Sequence, residues 1–293
     1  MPGSSPNVDG GTTLTAEDIL TTPLTGFVTT DYAGVVAADS IRGAIGKLQA
    51  RYLTADLNVY VRIDGNNLNN GLTNIAGGAF RTIQRAVQFA SQITFGSYKV
   101  IVRVGDGDYD EVVGIVGFPG KTPNRFADSF QIIGNEASPG NVIIRQLYIS
   151  GSAGVLVSGM TVALGASANC GSEAVVFAFR CPTLNSTTGS YLTGWDVELT
   201  APSSEYDYGY ALKATQFGTL DFGGLRVVLG RDYSNAFAVA DGGCVSIYDQ
   251  PVGSATGKKF NVAMNGIINT YGGGVNFLPG TVAGTTATGG QYV

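Results

Sequence analysis

Apolar and polar residues alternate over many short stretches of this chain, and the alternation predicts β-strands. The first such stretch is 58–63, and the next is 98–104. A period of two places every second side chain on one face, as a half-buried strand requires. Further strands are expected at 111–116, 130–133, 142–149, 174–179, 244–248 and 260–268. The pattern therefore predicts an all-β chain.

A helix is predicted at 39–53, upstream of the strands. Its apolar residues alternate between separations of four and three, the spacing of a short coiled-coil seam, and they are Ile41, Ile45, Leu48 and Tyr52. We expect this seam to form the stem of a trimer. An ordinary amphipathic helix packed on its own domain fits the spacing equally well. Gly43 and Gly46 weaken the helix, so the seam alone would not hold an oligomer together.

A second helix is predicted at 80–90, between the first two strands. Its apolar residues fall on one helical face, and they are Phe80, Ile83, Val87 and Ala90. The loop before it, 64–71, contains the Asp-Gly and Asn-Gly pairs that are typical of turns. A glycine turn at 105–109 follows the strand 98–104. The predicted order is therefore strand, loop, helix, strand, turn and strand.

This order, with the sequences AFRTIQRAV and KVIVRVGDGDYDE in it, resembles the N-terminal region of pectate-lyase-like β-helices. The resemblance covers residues 58–116. It implies a right-handed parallel β-helix, a solenoid in which the helix at 80–90 covers the apolar cross-section of the open end.

A Gly-x-x-Val-x-Leu unit occurs three times downstream. The units begin at Gly159, Gly194 and Gly224, so their separations are 35 and 30 residues. Each unit places alternate apolar side chains on one face after a glycine corner. Periods of this length are typical of stacked repeats, so we expect the three glycines to mark equivalent corners.

Both ends of the chain resemble bacteriophage tail-fibre and tailspike-like proteins. The matching segments are TPLTGF at 22–27, AIGKLQ at 44–49 and the ending LPGTVAGTTATGGQYV at 278–293. The resemblance implies a homotrimer on the virion surface, placed either as capsid decoration (a cement protein) or as a short tail spike or fibre. The arm 1–37, rich in Gly, Ser, Thr and Pro, is expected to bind other virion proteins of the capsid or tail.

Three regions are expected from these patterns. Residues 1–57 form the N-terminal arm and short helical stem, 58–270 form the cap helix and the β-helix, and 271–293 form a C-terminal tip segment.

Composition and charge exclude several partners. Charged residues make up 13% of the chain, against about 25% in an average soluble domain. The net charge is −5 and basic residues do not cluster, so we expect no nucleic-acid partner. No apolar run approaches the ~18 residues that a membrane span needs. The N-terminus lacks the features of a signal peptide, and synthesis in a host cytoplasm is expected.

The residue types needed for common active sites are missing. There is no histidine, which excludes Ser-His-Asp and Cys-His catalysis and the His-containing zinc sites. The cysteines, Cys170, Cys181 and Cys244, are scattered and are expected as buried free thiols. Asp106, Asp108 and Asp110 begin like a calcium loop, but the required glycine and final glutamate are absent. We expect no metal and no cofactor.

Acidic and tyrosine residues keep an alternative function open, a receptor-binding tailspike that binds or cleaves host surface polysaccharide. Glycosidases use two carboxylates about 5–10 Å apart. The candidate saccharide contacts are Asp196, Glu198, Glu205, Tyr206, Asp207 and Tyr208. Alternating charges more often mark the solvent face of a strand, and tyrosine is also enriched at protein interfaces. We therefore expect a non-enzymatic structural protein.

Overall fold

The computed structural model describes residues 45–48, 51–117, 129–150, 154–163, 176–179, 191–200, 208–215, 217–229 and 232–293. The chain divides into two compact units, Met1–Arg51 and Tyr52–Val293. In the first unit, residues 45–48 are helical. In the second, the described residues form one α-helix, α1 (Ile83–Ala90), a short 3-10 turn (Pro139–Asn141) and 21 β-strands.

The strands are short and are spread over the whole second unit. In chain order they are β1 (Leu57–Val61), β2 (Val100–Val104), β3 (Gly107–Asp108), β4 (Val112–Val116), β5 (Phe130–Ile133), β6 (Val142–Ile144), β7 (Gln146–Ser150), β8 (Val155–Ala163), β9 (Val176–Phe179), β10 (Tyr191–Thr200), β11 (Tyr208–Thr215), β12 (Thr219–Gly223), β13 (Arg226–Leu229), β14 (Asp232–Asp241), β15 (Cys244–Ile247), β16 (Val252–Gly253), β17 (Thr256–Gly257), β18 (Phe260–Ala263), β19 (Ile267–Asn269), β20 (Thr285–Thr286) and β21 (Gln291–Tyr292).

These strands form two sheets, and every pairing between the described strands is parallel. The 13-stranded sheet has the order β1-β2-β5-β8-β10-β12-β15-β19-β21, with β3, β6, β13 and β16 beside this path. The eight-stranded sheet has the order β4-β7-β9-β11-β14-β18-β20, with β17 beside β14. The chain therefore visits the two sheets in alternation, and the prediction of an all-β chain is confirmed.

The core of the 13-stranded sheet is a row of apolar residues at matched positions of successive strands. Their registers are continuous from β2 to β19, and the residues are Val100, Phe130, Val155, Leu192, Leu220, Val245 and Ile268, all fully buried. Burying one such side chain is worth about 1.5–3 kcal/mol. Because apolar and polar residues alternate along each strand, one face of the strand packs in the core and the other does not.

A left-handed bend within the strands shows that one of the three predicted corners is misplaced. Gly159 and Gly224 have left-handed φ angles of 64° and 62°, and the residue between them in register is Asp196, with φ 49°. The first and third predicted corners are therefore equivalent, whereas the second, Gly194, lies two residues too early. Gly194 serves packing instead, because the ring of Phe222 leaves no room for a side chain there.

Two predicted strands are each divided in two. The stretch 142–149 contains β6 and β7, which belong to different sheets and are separated by Arg145. The stretch 260–268 contains β18 and the start of β19. Met264 and Asn265, with φ angles of 50° and 59°, form the turn between them. In both stretches apolar residues continue to recur across the turn, so the sequence pattern did not show where one strand ends and the next begins.

The predicted helix 39–53 is only partly described, and its predicted end is wrong. Residues 45–48 are helical, whereas Tyr52 forms a parallel bridge with Thr94. Leu53 N donates a hydrogen bond to Thr94 O. The helix therefore ends before Tyr52, because Tyr52 and Leu53 pair with Thr94 within the second unit.

Helix α1 lies against the first strands of both sheets, and it begins at Ile83 rather than at Phe80. Thr82 is its N-cap and accepts a hydrogen bond from Arg85 N. Phe80, just before the helix, is fully buried and forms a bridge with Val61. The apolar face of α1 is buried, as the sequence predicted.

Side chains also bind the exposed edge of β4, the first strand of the eight-stranded sheet. Gln84 Oε1 accepts from Gly114 N (2.7 Å), and Gln84 Nε2 donates to Gly114 O (3.1 Å). Among the described strands β4 has no partner on that side, and the Gln84 amide takes the place of one. Glu111, next to β4, accepts from the backbone N–H groups of Ile83 and Gln84 at the start of α1.

The other end of the sheets has no helix in the described residues. Its last strands, β20 and β21, have two residues each. The Tyr292 ring stacks on Phe260 at 3.9 Å, and its hydroxyl donates to Gly274 O. Leu278, in the loop before β20, is buried. The segment 271–293, expected as a tip, thus contributes a strand to each sheet.

Candidate interaction surface

The first predicted carboxylates, Asp196 and Glu198, lie in β10 on either side of Val197. Asp196 occupies the left-handed bend, a conformation that Asp adopts more readily than most residues, and its carboxylate lies over Gly224. Glu198 accepts a hydrogen bond from Thr161 (3.0 Å) and lies 3.6 Å from Arg226. Glu198 therefore links three neighbouring strands, and these contacts are structural.

The remaining predicted contacts are only partly visible. Tyr208 begins β11. The other predicted positions of the saccharide set and the stem lie outside the described residues, and they are Ile41, Glu205, Tyr206 and Asp207, together with the arm 1–37. Of the stem residues that are described, Ile45 is half-buried, and Leu48 and Tyr52 are exposed.

The acidic turn at 106–110 is held by side chains of the next strands. Arg145 forms ion pairs with Asp108 (2.7 Å) and Asp110 (2.8 Å). Asp106 accepts hydrogen bonds from the amides of Asn135 and Asn141. Within the described part of the chain, no group of three or more His, Cys, Asp or Glu residues is placed to hold a metal ion.

A different surface combines aromatic and polar side chains, and we call it the outer strip. It consists of the residues that point away from the core on five neighbouring strands of the 13-stranded sheet, or just after them. They are Leu156 and Ser158 on β8, Tyr191, Thr193 and Trp195 on β10, Thr219, Asp221 and Gly223 on β12, Cys244, Ser246 and Tyr248 at β15, and Ile267, Asn269 and Tyr271 at β19.

Asp221 lies at the centre of the outer strip and is only 2% exposed, although it points away from the core. Its Oδ2 accepts hydrogen bonds from the hydroxyls of Tyr191 (2.6 Å) and Tyr248 (3.0 Å). Burial of a carboxylate is costly unless such donors satisfy it. Tyr191 lies in β10, Asp221 in β12 and Tyr248 just after β15, so the cluster ties these three neighbouring strands together.

Three aromatic rings of the outer strip stack on one another. The stack runs across the sheet, from one strand to the next. The ring planes of Trp195 and Tyr248 are nearly parallel, with an interplanar angle of 7° and ring centroids 6.1 Å apart. Those of Tyr248 and Tyr271 have an interplanar angle of 17° and centroids 4.7 Å apart. Gly223 lies between Trp195 and Tyr248 in register, and the Trp195 ring covers it so closely that no side chain would fit. The stack therefore depends on a glycine within a strand.

Charged groups are nearly absent from the exposed part of the outer strip. Trp195 is 42% and Tyr271 48% exposed, and Asp221, the one charged residue among those that define the strip, is buried. At the edge of the strip, the carboxylate of Glu136 accepts a hydrogen bond from the Ser158 hydroxyl. Burial and hydrogen bonds to Tyr271 and Asp221 raise the pKa of Tyr248 above its usual range, so this hydroxyl stays protonated.

Sequence reasoning missed this surface. Tyr191, Asp221 and Tyr248 are 30 and 27 residues apart, and strand register brings them together. The available signal was the alternation of polar and aromatic residues in 191–195 and 244–248, which places these side chains on the face opposite the core.

Comparisons with known proteins give no relative for this chain. No family model matches it, and neither a curated protein nor a solved structure does. The resemblance to pectate-lyase-like and phage fibre proteins therefore stays a prediction. Among the described residues, no helix is long and apolar enough to cross a membrane.

Proposed function

We propose that this chain is a non-enzymatic structural protein on the surface of a bacteriophage virion, folded as a right-handed parallel β-helix and assembled as a homotrimer. The observation that carries the proposal is the alternating path of the chain, which builds nine strands in sequence order in one sheet and seven in the other. A path that returns to each sheet one strand further along is that of a solenoid. Crossovers between parallel strands are right-handed in about 98% of cases.

The proposed fold suits an extracellular particle. Each turn of a solenoid contacts its neighbours through continuous rows of side chains, and covered ends prevent edge-to-edge aggregation. Association of three copies slows unfolding further. The arm 1–37 is proposed as the anchor to capsid or tail proteins. The phage-like segments at 22–27, 44–49 and 278–293 support this placement.

Particle location tests the virion proposal. Particles of the phage that encodes the chain would be purified, and the copies would be counted by quantitative mass spectrometry and located with a specific antibody. Shell-bound copies in icosahedral numbers support a cement protein. Three copies, or a small multiple, at one vertex support a tail spike or fibre. Absence of the chain from purified particles contradicts the proposal.

The proposed lack of catalysis is supported by the structural contacts of Asp196 and Glu198. The test is incubation of the purified protein with host polysaccharide, followed by measurement of new reducing ends. We expect no release. Release that Asp196→Asn or Glu205→Gln abolishes would contradict this part of the proposal. Asn tolerates left-handed backbone at position 196, so that variant changes charge without forcing the bend.

Saccharide binding is the second candidate function, favoured by the exposure of Trp195 and Tyr271. Aromatic rings provide large apolar contact area with little loss of side-chain entropy. This candidate predicts that host polysaccharide binds the protein in calorimetry and that Trp195→Ala removes the binding. Unchanged affinity of the variant, or no binding by the wild type, contradicts a saccharide site at Trp195.

A further inference from the structure

We propose that the outer strip is the surface through which copies of this chain contact one another, with the strips of the copies facing a shared rotation axis. The inference rests on the proposed homotrimer and adds the face that forms its contact. Three observations carry it: the lack of exposed charge, the packing of the rings and the extent of the surface.

The first observation is the distribution of charge over the outer face of the 13-stranded sheet. On β1 and β2 this face carries Arg103, which donates a hydrogen bond to Asn58, and Lys99 lies just before β2. From β8 to β19 the residues of the outer strip include no exposed charge, whereas Arg226 on β13, beyond the bend of β10, is exposed. Near a rotation axis, each residue faces its own copies, and like charges there repel. A charge-free strip is therefore compatible with self-contact, and depletion of charge is typical of interface cores.

The second observation is how the three rings are already packed. Tyr248 stacks between Trp195 and Tyr271, so much of the ring surface is covered within the chain. A sugar stacks on an open ring face, whereas the face of Trp195 that covers Gly223 is closed. Ring edges and apolar side chains such as Ile267, at 37% exposed, remain accessible. This pattern favours a protein surface over a saccharide.

The third observation is extent. Five strands at about 4.8 Å separation and about 3.3 Å per residue give a patch of roughly 20 Å by 16 Å. A standard interface contributes about 800 Å² from each partner, so the strip is large enough for the central part of such an interface. Glu136, at the β8 side of the strip, lies where a polar rim is expected.

The test introduces charge into the strip and measures the mass of the full chain in solution by sedimentation and light scattering. We expect the wild type to have three times the chain mass of 30.3 kDa. Ile267→Glu and Thr219→Lys place charges of opposite sign in the strip, and each should weaken association by roughly 100-fold or more. Val252→Glu is the matched control, because Val252 is an exposed apolar strand residue outside the strip.

Circular dichroism of each variant shows whether the fold is retained. Monomeric Ile267→Glu and Thr219→Lys with wild-type spectra, together with an oligomeric Val252→Glu, support the inference. Oligomers in all variants overturn the strip as the contact and leave the proposed homotrimer intact. A monomeric wild type overturns both the homotrimer and this inference. A monomeric wild type that also binds host polysaccharide, with binding lost in Trp195→Ala, assigns the strip to a saccharide instead.

Discussion

The two ends of the sheets are closed in different ways. At the first edge, α1 covers the core, and the Gln84 amide forms the two hydrogen bonds with Gly114 that a neighbouring strand would form. At the last edge, the strands shorten to two residues, and the Tyr292 ring lies on Phe260. The exposed edge of a sheet invites aggregation, and both a covering helix and very short strands reduce that risk.

The two edges differ in how much of each is buried, and more of the stability of this fold is expected at the first edge. The first edge combines a buried helix face, a capped helix start and specific side-chain hydrogen bonds. The last edge depends on one half-buried aromatic ring and a loop, and its two strands are largely exposed. Regions with few buried contacts open at low free energy. We therefore expect the last edge to open first, and the following predictions test this contrast.

The largest effect is expected from Phe80→Ala at the first edge. Phe80 is fully buried, its ring is 5.5 Å from that of Phe89, and it lies under the Arg85 guanidinium. Truncation of a buried Phe costs about 3–5 kcal/mol, and the free energy of unfolding in urea should fall by that amount. Leu68→Ala is the control, since Leu68 is 93% exposed in the same region. A loss below about 1 kcal/mol for Phe80→Ala would contradict the account.

A smaller loss is expected from Gln84→Ala, which leaves both backbone groups of Gly114 without their side-chain partner. Unsatisfied groups of this kind cost about 1–3 kcal/mol each when buried, so we expect a total in that range at this half-buried site. Gln88→Ala, on the exposed side of α1, is the matched control and should be neutral or slightly stabilising because Ala favours helix. Equal stability of the two variants would show that Gln84 does not seal the edge.

Tyr292→Ala should have a local effect at the last edge. Loss of the stacked ring and of the hydrogen bond to Gly274 is expected to cost about 1–2 kcal/mol. Hydrogen exchange should accelerate in β18 and β19 and stay unchanged in β2. Gln291→Ala, with an exposed side chain, is the control. Faster exchange that reaches β2 would mean that the two ends are not independent.

The smallest effect is a pH dependence at Glu111. Burial raises the pKa of this carboxyl, against the lowering effect of its hydrogen bonds from Gln84 and Ile83. A raised folded-state pKa gives stability that is present below the unfolded pKa of about 4.5 and is lost as pH rises through the folded value. The stability of the wild type relative to Glu111→Gln should therefore fall from pH 4 to pH 7 in urea titrations. A difference that rises over this range would contradict the assignment.

Local periodicity was enough to predict β1, β2, β4 and β5 and the buried face of α1, because each depends on residues close together in sequence. Strands β11 and β14 lie outside every predicted stretch. Local periodicity also did not predict that Asp196 takes the corner position between Gly159 and Gly224, since Asp and Gly share tolerance for left-handed backbone. The Asp221 cluster and the Gln84 contact with Gly114 both join residues about 30 positions apart. Such contacts follow from strand register and helix placement, which a single sequence does not specify.

The most direct test of the account is an electron-microscopy reconstruction of the purified full chain at a resolution that separates strands. We expect three copies, each with parallel strands stacked about 4.8 Å apart along its length, with Trp195, Tyr248 and Tyr271 facing the threefold axis and α1 at one end. Single copies, or three copies whose strips face solvent, would contradict it.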